Sequence, residues 1–237
     1  MKALLLAAGL GTRLQPITHR IQKCLVPISG KPLIEYWLDN LSQTSITDFL
    51  INTHHHAYQM QSYIQRSKYA SKVTLVHEEN LLLTGGTILQ NRDFINNKTF
   101  MLVHADNLCL CDFNAFIKAH TSRPKNTLIT MMLFHTSNPE SCGIVECDEE
   151  GIVQHFYEKV IAPPSNLANG AIYICEPEII DFLVSLNQKE IDFSTEVIPH
   201  FLGRINTFLN KEYHRDIGTL ESYATAQIDL YDKEQGI

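Results

Sequence analysis

Lys2-Ala3-Leu4-Leu5-Leu6-Ala7-Ala8-Gly9-Leu10-Gly11-Thr12-Arg13-Leu14-Gln15-Pro16 is the most informative segment of the chain. Its first half is apolar without a break. A strand covered on one face alternates apolar and polar residues, so an unbroken run over 2–8 predicts a central strand buried on both faces. The run is too short for a membrane span, and it stops at a glycine turn, unlike a secretory leader. Gly9 and Gly11 follow at once. Open parallel sheets bind ligands beyond the carboxyl ends of their strands. Glycines there let the backbone approach a phosphate, and its N–H groups cradle the anion. Fifteen residues therefore predict an α/β protein with an anion site at the tip of its first strand.

Downstream, Pro16, Pro27, Gly30 and Pro32 extend the turn into a long loop over 9–31, a length that in a compact domain points to function. Leu33, Ile34, Trp37, Leu38 and Leu41 are spaced for a helix over 33–45. Strands are predicted at 48–53, 72–77, 99–105 and 127–135, with helices at 56–68, 87–95 and 112–121 between them. The alternation implies a Rossmann-like, mostly parallel mixed sheet with helices on both faces. The second half reads as short strands at 142–147, 151–157, 170–175 and 204–209. Helices are expected at 176–187 and 194–202, and a closing helix at 219–232 capped near Thr219. Without repeats or a Gly/Ser-rich linker, the chain is read as one domain over 1–237. In this reading the alternating half spans 1–135 and the mixed half 136–237.

The 237 residues carry a formal net charge of −7, with no basic excess to suit a nucleic acid polymer. An anionic substrate must then be held by a few placed cations, backbone N–H groups or a metal. Six cysteines without a CxxC pair read as reduced thiols of a soluble, cytoplasmic protein rather than a zinc site. His54, His55 and His56 are consecutive, so their side chains cannot converge on one ion.

A third glycine, at the position of Leu14, would be needed for a dinucleotide-binding turn, and the nicotinamide reading loses its fingerprint there. The loop offers Arg13 and, ten residues later, Lys23. Two cations on a glycine-rich loop suit a triphosphate, whereas a purely structural turn would leave them solvated. Gly9 to Pro16, Lys23-Cys24-Leu25-Val26-Pro27 and Gly30-Lys31-Pro32 together resemble the signature of the sugar-1-phosphate nucleotidyltransferases.

The resemblance implies the nucleotide-diphospho-sugar transferase fold and a set of roles. Ala8, Gly9, Gly11 and Thr12 would line the triphosphate, with Arg13 on the leaving pyrophosphate and Lys23 at the reacting phosphorus. Glu79-Asn80-Leu81-Leu82-Leu83-Thr84-Gly85-Gly86 is similar to the loop that receives base and ribose, which implies contacts from Glu79, Thr84, Gly85 and Gly86. Leu83 stands where glycine is common. Asp106, ending a strand, and Asp216, in His214-Arg215-Asp216-Ile217-Gly218-Thr219, match the family's two magnesium carboxylates. Asn107, Gly143, Glu158, Lys159 and Asn169 match sugar-phosphate positions, although Asn169-Gly170 departs slightly from the usual Asn-Ala-Gly order.

The expected reaction is in-line attack of a sugar 1-phosphate on a nucleoside triphosphate, giving a nucleotide-sugar and pyrophosphate, with Mg2+ on Asp106 and Asp216. GTP with mannose or manno-heptose 1-phosphate is favoured. A uridylyltransferase acting on an amino-sugar phosphate, and a non-catalytic nucleotide-sugar-binding regulator of the same fold, stay open. No membrane or nucleic acid partner is expected, while a homo-oligomer is left open. Because the chain ends at Ile237, no hexapeptide-repeat domain is expected.

Overall fold

A computed structural model describes residues 1–235. Along the chain, β1 (Lys2–Leu6) leads into the long loop, which holds the short strands β2 (Pro27–Ile28) and β3 (Lys31–Pro32). Then come α1 (Leu33–Ser42), β4 (Asp48–Thr53), α2 (Ala57–Arg66), β5 (Val73–His77), α3 (Leu83–Gln90), α4 (Arg92–Ile95), β6 (Phe100–His104) and β7 (Asn107–Leu110). The remainder is α5 (Phe113–Thr121), β8 (Ile129–His135), β9 (Gly143–Cys147), β10 (Val153–Glu158), β11 (Leu167–Cys175), α6 (Glu178–Ser185), β12 (Ile205–Leu209), β13 (Tyr213–Asp216) and α7 (Leu220–Gln235). The class is the expected mixed α/β. Among the described residues no helix is long and apolar enough to cross a membrane.

Contacts divide the chain into two compact units. The first comprises Ala3–Leu81, His104–Cys111 and the chain from Glu212 onward. The second comprises Met1–Lys2, Leu82–Val103 and Asp112–Lys211. Each unit thus draws segments from both halves of the sequence.

In the first unit β4 and β5 pair in parallel, register Phe49 with Val73 through Thr53 with His77. The loop over 9–31 is not featureless. It winds through 3-10 turns at Thr12–Leu14, Ile17–His19 and Lys23–Leu25. What fixes it is burial: Leu14, Val26 and Ile28 pack with Leu33, Leu108, Ile217, Ala226 and Leu230 in one cluster. Each fully buried leucine or isoleucine is worth about 1.5–3 kcal/mol. α1 buries the five apolar side chains that its spacing predicted, and its Trp37 Nε1 donates to the Asn107 carbonyl at 2.9 Å. Besides β2 and β3, two further strands were not foreseen. β7 and β13 pair antiparallel, register Tyr213 with Leu110 through Asp216 with Asn107. α7 is capped as expected by Thr219, whose hydroxyl oxygen accepts from Ser222 N at 3.1 Å.

In the second unit β11 is central, antiparallel to β6, β8 and β9, while β12 joins β8 in parallel. The helix expected over 87–95 differs. α3 begins at Leu83, so Thr84, Gly85 and Gly86 lie in its first turn, and α4 follows separately. The helix predicted at 194–202 is a π turn, Phe193–Val197, followed by a 3-10 turn, Ile198–Phe201.

A buried polar cluster fastens α5 to the strands. Asn206 Nδ2 donates to Thr130 Oγ1 at 3.3 Å. The hydroxyl proton is then directed at His120 Nδ1, 2.8 Å away, and His120 Nε2–H donates to Glu176 Oε1 at 3.1 Å. Arg123 pairs with the same carboxylate. Burial and the Arg123 cation push His120 down to about 4. An unfolded histidine titrates near 6.5, so between about pH 6.5 and 4 the unfolded chain binds a proton that the native chain refuses. The free energy of unfolding should therefore hold steady above about pH 6.5 and fall as the solution is acidified towards 4. Urea titrations across that range check this, and His120→Gln should flatten the slope.

Candidate active site

The cations and carboxylates singled out by sequence meet within the first unit. Lys23 lies in the third 3-10 turn and is only 5% exposed. Its ammonium donates to Asp106 Oδ2 at 2.7 Å and lies 3.5 Å from Asp216 Oδ1. Arg13 reaches Asp216 Oδ2 at 3.4 Å from a side chain that is 68% exposed. The β7–β13 pairing makes this possible, because it sets Asp216 opposite Asn107, the neighbour of Asp106. Ile217 N also donates to the Asp106 carbonyl, at 3.4 Å.

Burial alone favours the neutral amine of Lys23, yet Asp106 and Asp216 hold its pKa above the ordinary lysine value. Burial likewise works against ionised Asp106, and Lys23 with His104 holds that carboxyl below its usual range. Both directions describe an ion pair that stays charged at neutral pH.

Two glycines permit the cluster. Gly11 has φ +63°, and a Cβ there would come 2.8 Å from Thr18 Cγ2 and 3.3 Å from Lys23 Cβ. A Cβ on Gly218 would come 2.6 Å from Asp216 Oδ2 and 2.8 Å from an Arg13 guanidinium nitrogen. In the sequence Gly218 stands only as context for Asp216, and the Gly-Thr pair after an acidic residue is the signal that marks it. Lys31, the third cation of the signature, pairs with Asp39 on α1 instead.

Ala8 and Gly9 follow β1 directly, and Thr12 is in the exposed first turn. Glu79 is exposed after β5, whereas its neighbour Glu78 is 5% exposed. Asn52 Nδ2 donates to Glu78 Oε1 at 3.0 Å, and Asn52 Oδ1 accepts from Ala7 N at 2.7 Å. Ala7, Asn52 and Glu78 come at or just past the carboxyl ends of β1, β4 and β5, where open α/β sheets bind ligands. Neither Asn52 nor Glu78 was picked out from sequence, where burial does not distinguish two adjacent glutamates.

The second unit carries the other predicted positions. Thr84, Gly85 and Gly86 open α3, and Gly85 N donates to the Ile191 carbonyl at 2.8 Å. Gly143 and Glu158 are register partners across β9 and β10, and Lys159 Nζ lies 3.0 Å from Glu158 Oε1. Asn169 Nδ2 donates to the buried Tyr173 hydroxyl at 2.6 Å. Burial, with the Glu158 and Asp192 charges adding to it, pushes that phenol up. Tyr173 is a further residue of this region that the sequence reading passed over. Asn169 Oδ1 also accepts from Ala171 N at 2.9 Å across a register break in β11. Ala171 has φ +54° and Leu83 has φ +62°. Both are left-handed conformations that glycine adopts freely and L side chains rarely do. At Leu83 and at Ala171, within the departing Asn169-Gly170-Ala171 order, an L residue thus holds a conformation that suits glycine.

The chain matches the Nucleotidyl transferase family profile over residues 2–233. It is 28% identical over 233 residues to a mannose-1-phosphate guanylyltransferase of Mycobacterium tuberculosis, covering 96% of this chain and 64% of that protein. It is 30% identical over 251 residues to a UTP–glucose-1-phosphate uridylyltransferase of Synechocystis, covering 99% of this chain and 64% of that one. The chain thus spans just under two thirds of the length of these relatives. The solved structure of HddC from Yersinia pseudotuberculosis, complexed with GMP-PN, superposes with a TM-score of 0.80 at 26% identity, over 97% of this chain and 99% of that one. A match that runs through both units and takes in every residue of the cation–carboxylate cluster makes this chain a member of the nucleotidyl transferase family.

Proposed function

We propose that the chain transfers a nucleotidyl group from a nucleoside triphosphate to a sugar 1-phosphate, releasing pyrophosphate. The observation that carries this reading is the convergence of Asp106 Oδ2 and Asp216 Oδ1 on the single Lys23 ammonium, at 2.7 and 3.5 Å. Two carboxylates that share one cation fit a divalent ion that takes its remaining ligands from substrate phosphates and water. Among the described residues no group of three or more His, Cys, Asp or Glu side chains converges. A hard, oxygen-seeking ion such as Mg2+ therefore suits the pair better than zinc. When bound, Mg2+ neutralises phosphate charge and so lowers the repulsion between the two anionic substrates.

The chain's own groups do the rest. Lys23 holds a full positive charge beside the two carboxylates and stabilises charge at the reacting phosphorus. Arg13, with its exposed guanidinium, neutralises the departing pyrophosphate. Gly9, Gly11 and Thr12 present backbone N–H groups to the triphosphate. Glu158, Lys159, Asn169 and Gly143 receive the sugar phosphate, with Lys159 on the phosphate and Glu158 on sugar hydroxyls. The attacking phosphate oxygen is already ionised at neutral pH, so proton removal by a base is unnecessary. Holding both anions in line supplies about 7–11 kcal/mol of the barrier.

GTP is the favoured triphosphate, with mannose or manno-heptose 1-phosphate as acceptor. Guanine presents two adjacent donors on one edge, a ring N–H and an amino group, and a fixed carboxylate such as Glu78 accepts both. Uracil flanks its single N–H with carbonyls that a carboxylate repels. The resemblance to the M. tuberculosis guanylyltransferase agrees with this reading, whereas the Synechocystis relative favours UTP as the second one.

Pyrophosphate release from five triphosphates against a panel of sugar 1-phosphates tests the proposal. Activity should appear only with a divalent cation and be highest with GTP. Asp106→Asn should lower kcat by at least 100-fold while leaving the folded far-UV circular dichroism spectrum in place; near-normal turnover would remove Asp106 from the chemistry. Glu78→Gln should lower kcat/KM for GTP relative to UTP by about 10- to 100-fold, the size expected when a charged hydrogen-bond acceptor is lost from a buried site. An unchanged ratio would leave base choice to other groups.

A further inference from the structure

Gln22 is 1% exposed, and its hydrogen bonds all fall within the first unit. Its Nε2 donates to the Ala7 carbonyl at 2.6 Å, and its backbone N–H donates to Gln59 Oε1 on α2 at 2.9 Å. Gln59 Nε2 in turn donates to the Arg20 carbonyl at 2.8 Å. Gln22 also opens the 3-10 turn Lys23–Leu25, its carbonyl accepting from Leu25 N at 2.8 Å. One buried residue thus ties the turn that carries the Lys23 ammonium to the tip of β1.

At that tip the strand ladder has ended. Ala105 N donates to the Leu6 carbonyl at 3.0 Å, and no strand pairs with Ala7. Two side-chain amides take the ladder's place: Gln22 Nε2 on the Ala7 carbonyl, and Asn52 Oδ1 on the Ala7 N–H at 2.7 Å. A trans peptide is planar, and its C=O and N–H point in opposite directions. Fixing the Ala7 carbonyl therefore fixes the direction of the Ala8 N–H. Ala8 is buried, and among the described residues its N–H meets no acceptor. Buried N–H groups are nearly always paired, so one held open by its neighbours leaves a place for an acceptor on a ligand.

The choice of glutamine has a second oddity. Its Oε1 is buried without a hydrogen-bond partner, which is unfavourable for the fold. Methionine would fill nearly the same space without an orphaned acceptor. Packing does not ask for an amide here, whereas the directed Nε2–H does.

We propose that Gln22 is a positioning residue for nucleotidyl transfer: it aims the Ala8 N–H at the nucleotide and holds the Lys23 turn in register with it. The inference rests on the nucleotidyltransferase reading above. Gln22 itself touches no substrate, because its one directed donor is taken up by Ala7.

The test is wild type against Gln22→Met, by thermal melting and by steady-state pyrophosphate release with the triphosphate that wild type uses best. The substitution loses one hydrogen bond and removes one orphaned acceptor, so melting should stay within about 4 °C of wild type. kcat/KM for the triphosphate should nevertheless fall roughly 10- to 100-fold, the effect of displacing groups that orient a reactant. KM for the sugar 1-phosphate should stay within about twofold, since uniform loosening would raise both constants. A fall in kcat/KM of less than about fivefold overturns the inference, as does an equal rise in KM for both substrates. A Gln22→Met chain that fails to fold also overturns it, because the fold would then need the glutamine. If wild type releases no pyrophosphate from any pair, the transfer reading fails on its own. Calorimetric titration of GTP with Mg2+ then decides the role of Gln22. Binding to Gln22→Met weaker than to wild type by about fivefold or more upholds it, and a smaller difference or no heat with wild type overturns it.

Discussion

A lysine side chain that is 95% removed from water must have its charge met, and in this protein two aspartates meet it. Stripping an ammonium ion of its hydration costs several kcal/mol, and only close, well-oriented counter-charges offset that cost. Lys23 comes from the loop after β1, Asp106 from the end of β6 and Asp216 from the end of β13. Because the ammonium requires both carboxylates, three segments separated by as many as 193 residues are bound to one point. A removed partner would leave a buried unmatched charge, so the first unit is built around this cluster.

Around this pair, backbone sterics set what is allowed. Gly11 lets the turn fold back so that Thr18 Oγ1 donates to the Gly11 carbonyl at 2.8 Å, and Gly218 leaves room for Arg13 beside Asp216. At Leu83 and Ala171 the solution is different, since the left-handed turn persists with an L residue in it. The cost is of the order of 1–2 kcal/mol at each position. In both places neighbouring hydrogen bonds dictate the path, through Ile191 in one case and Asn169 Oδ1 in the other.

Electrostatic economy follows from the charge balance. With a net charge of −7 the chain offers no general attraction to anions. Arg13 and Lys23 in one unit and Lys159 in the other each lie beside a carboxylate. Glu78 is a buried carboxylate whose Oε1 accepts from the Asn52 amide.

The amino-acid sequence by itself determined the α/β class, the buried first strand, the spacing of α1 and the identity of the chemical groups. These follow from local rules: apolar runs, helical periodicity and the steric needs of glycine turns act over a few residues. The pairing of Arg13, Lys23, Asp106 and Asp216 was legible only through a resemblance, because nothing local links residue 23 to residue 216. Tertiary structure alone decided the rest. β7 and β13 are four residues each, and Tyr213-His214-Arg215-Asp216 carries no apolar alternation to announce a strand. Each strand exists because the other supplies its hydrogen bonds, and Leu108 and Ile217 are buried beside them. The distinction between Glu78 and Glu79, the placing of Gly85 and Gly86 inside a helix, and the shared cation between two aspartates have the same origin. Burial and long-range hydrogen bonding are properties of neighbours in space, and a sequence records only neighbours along the chain.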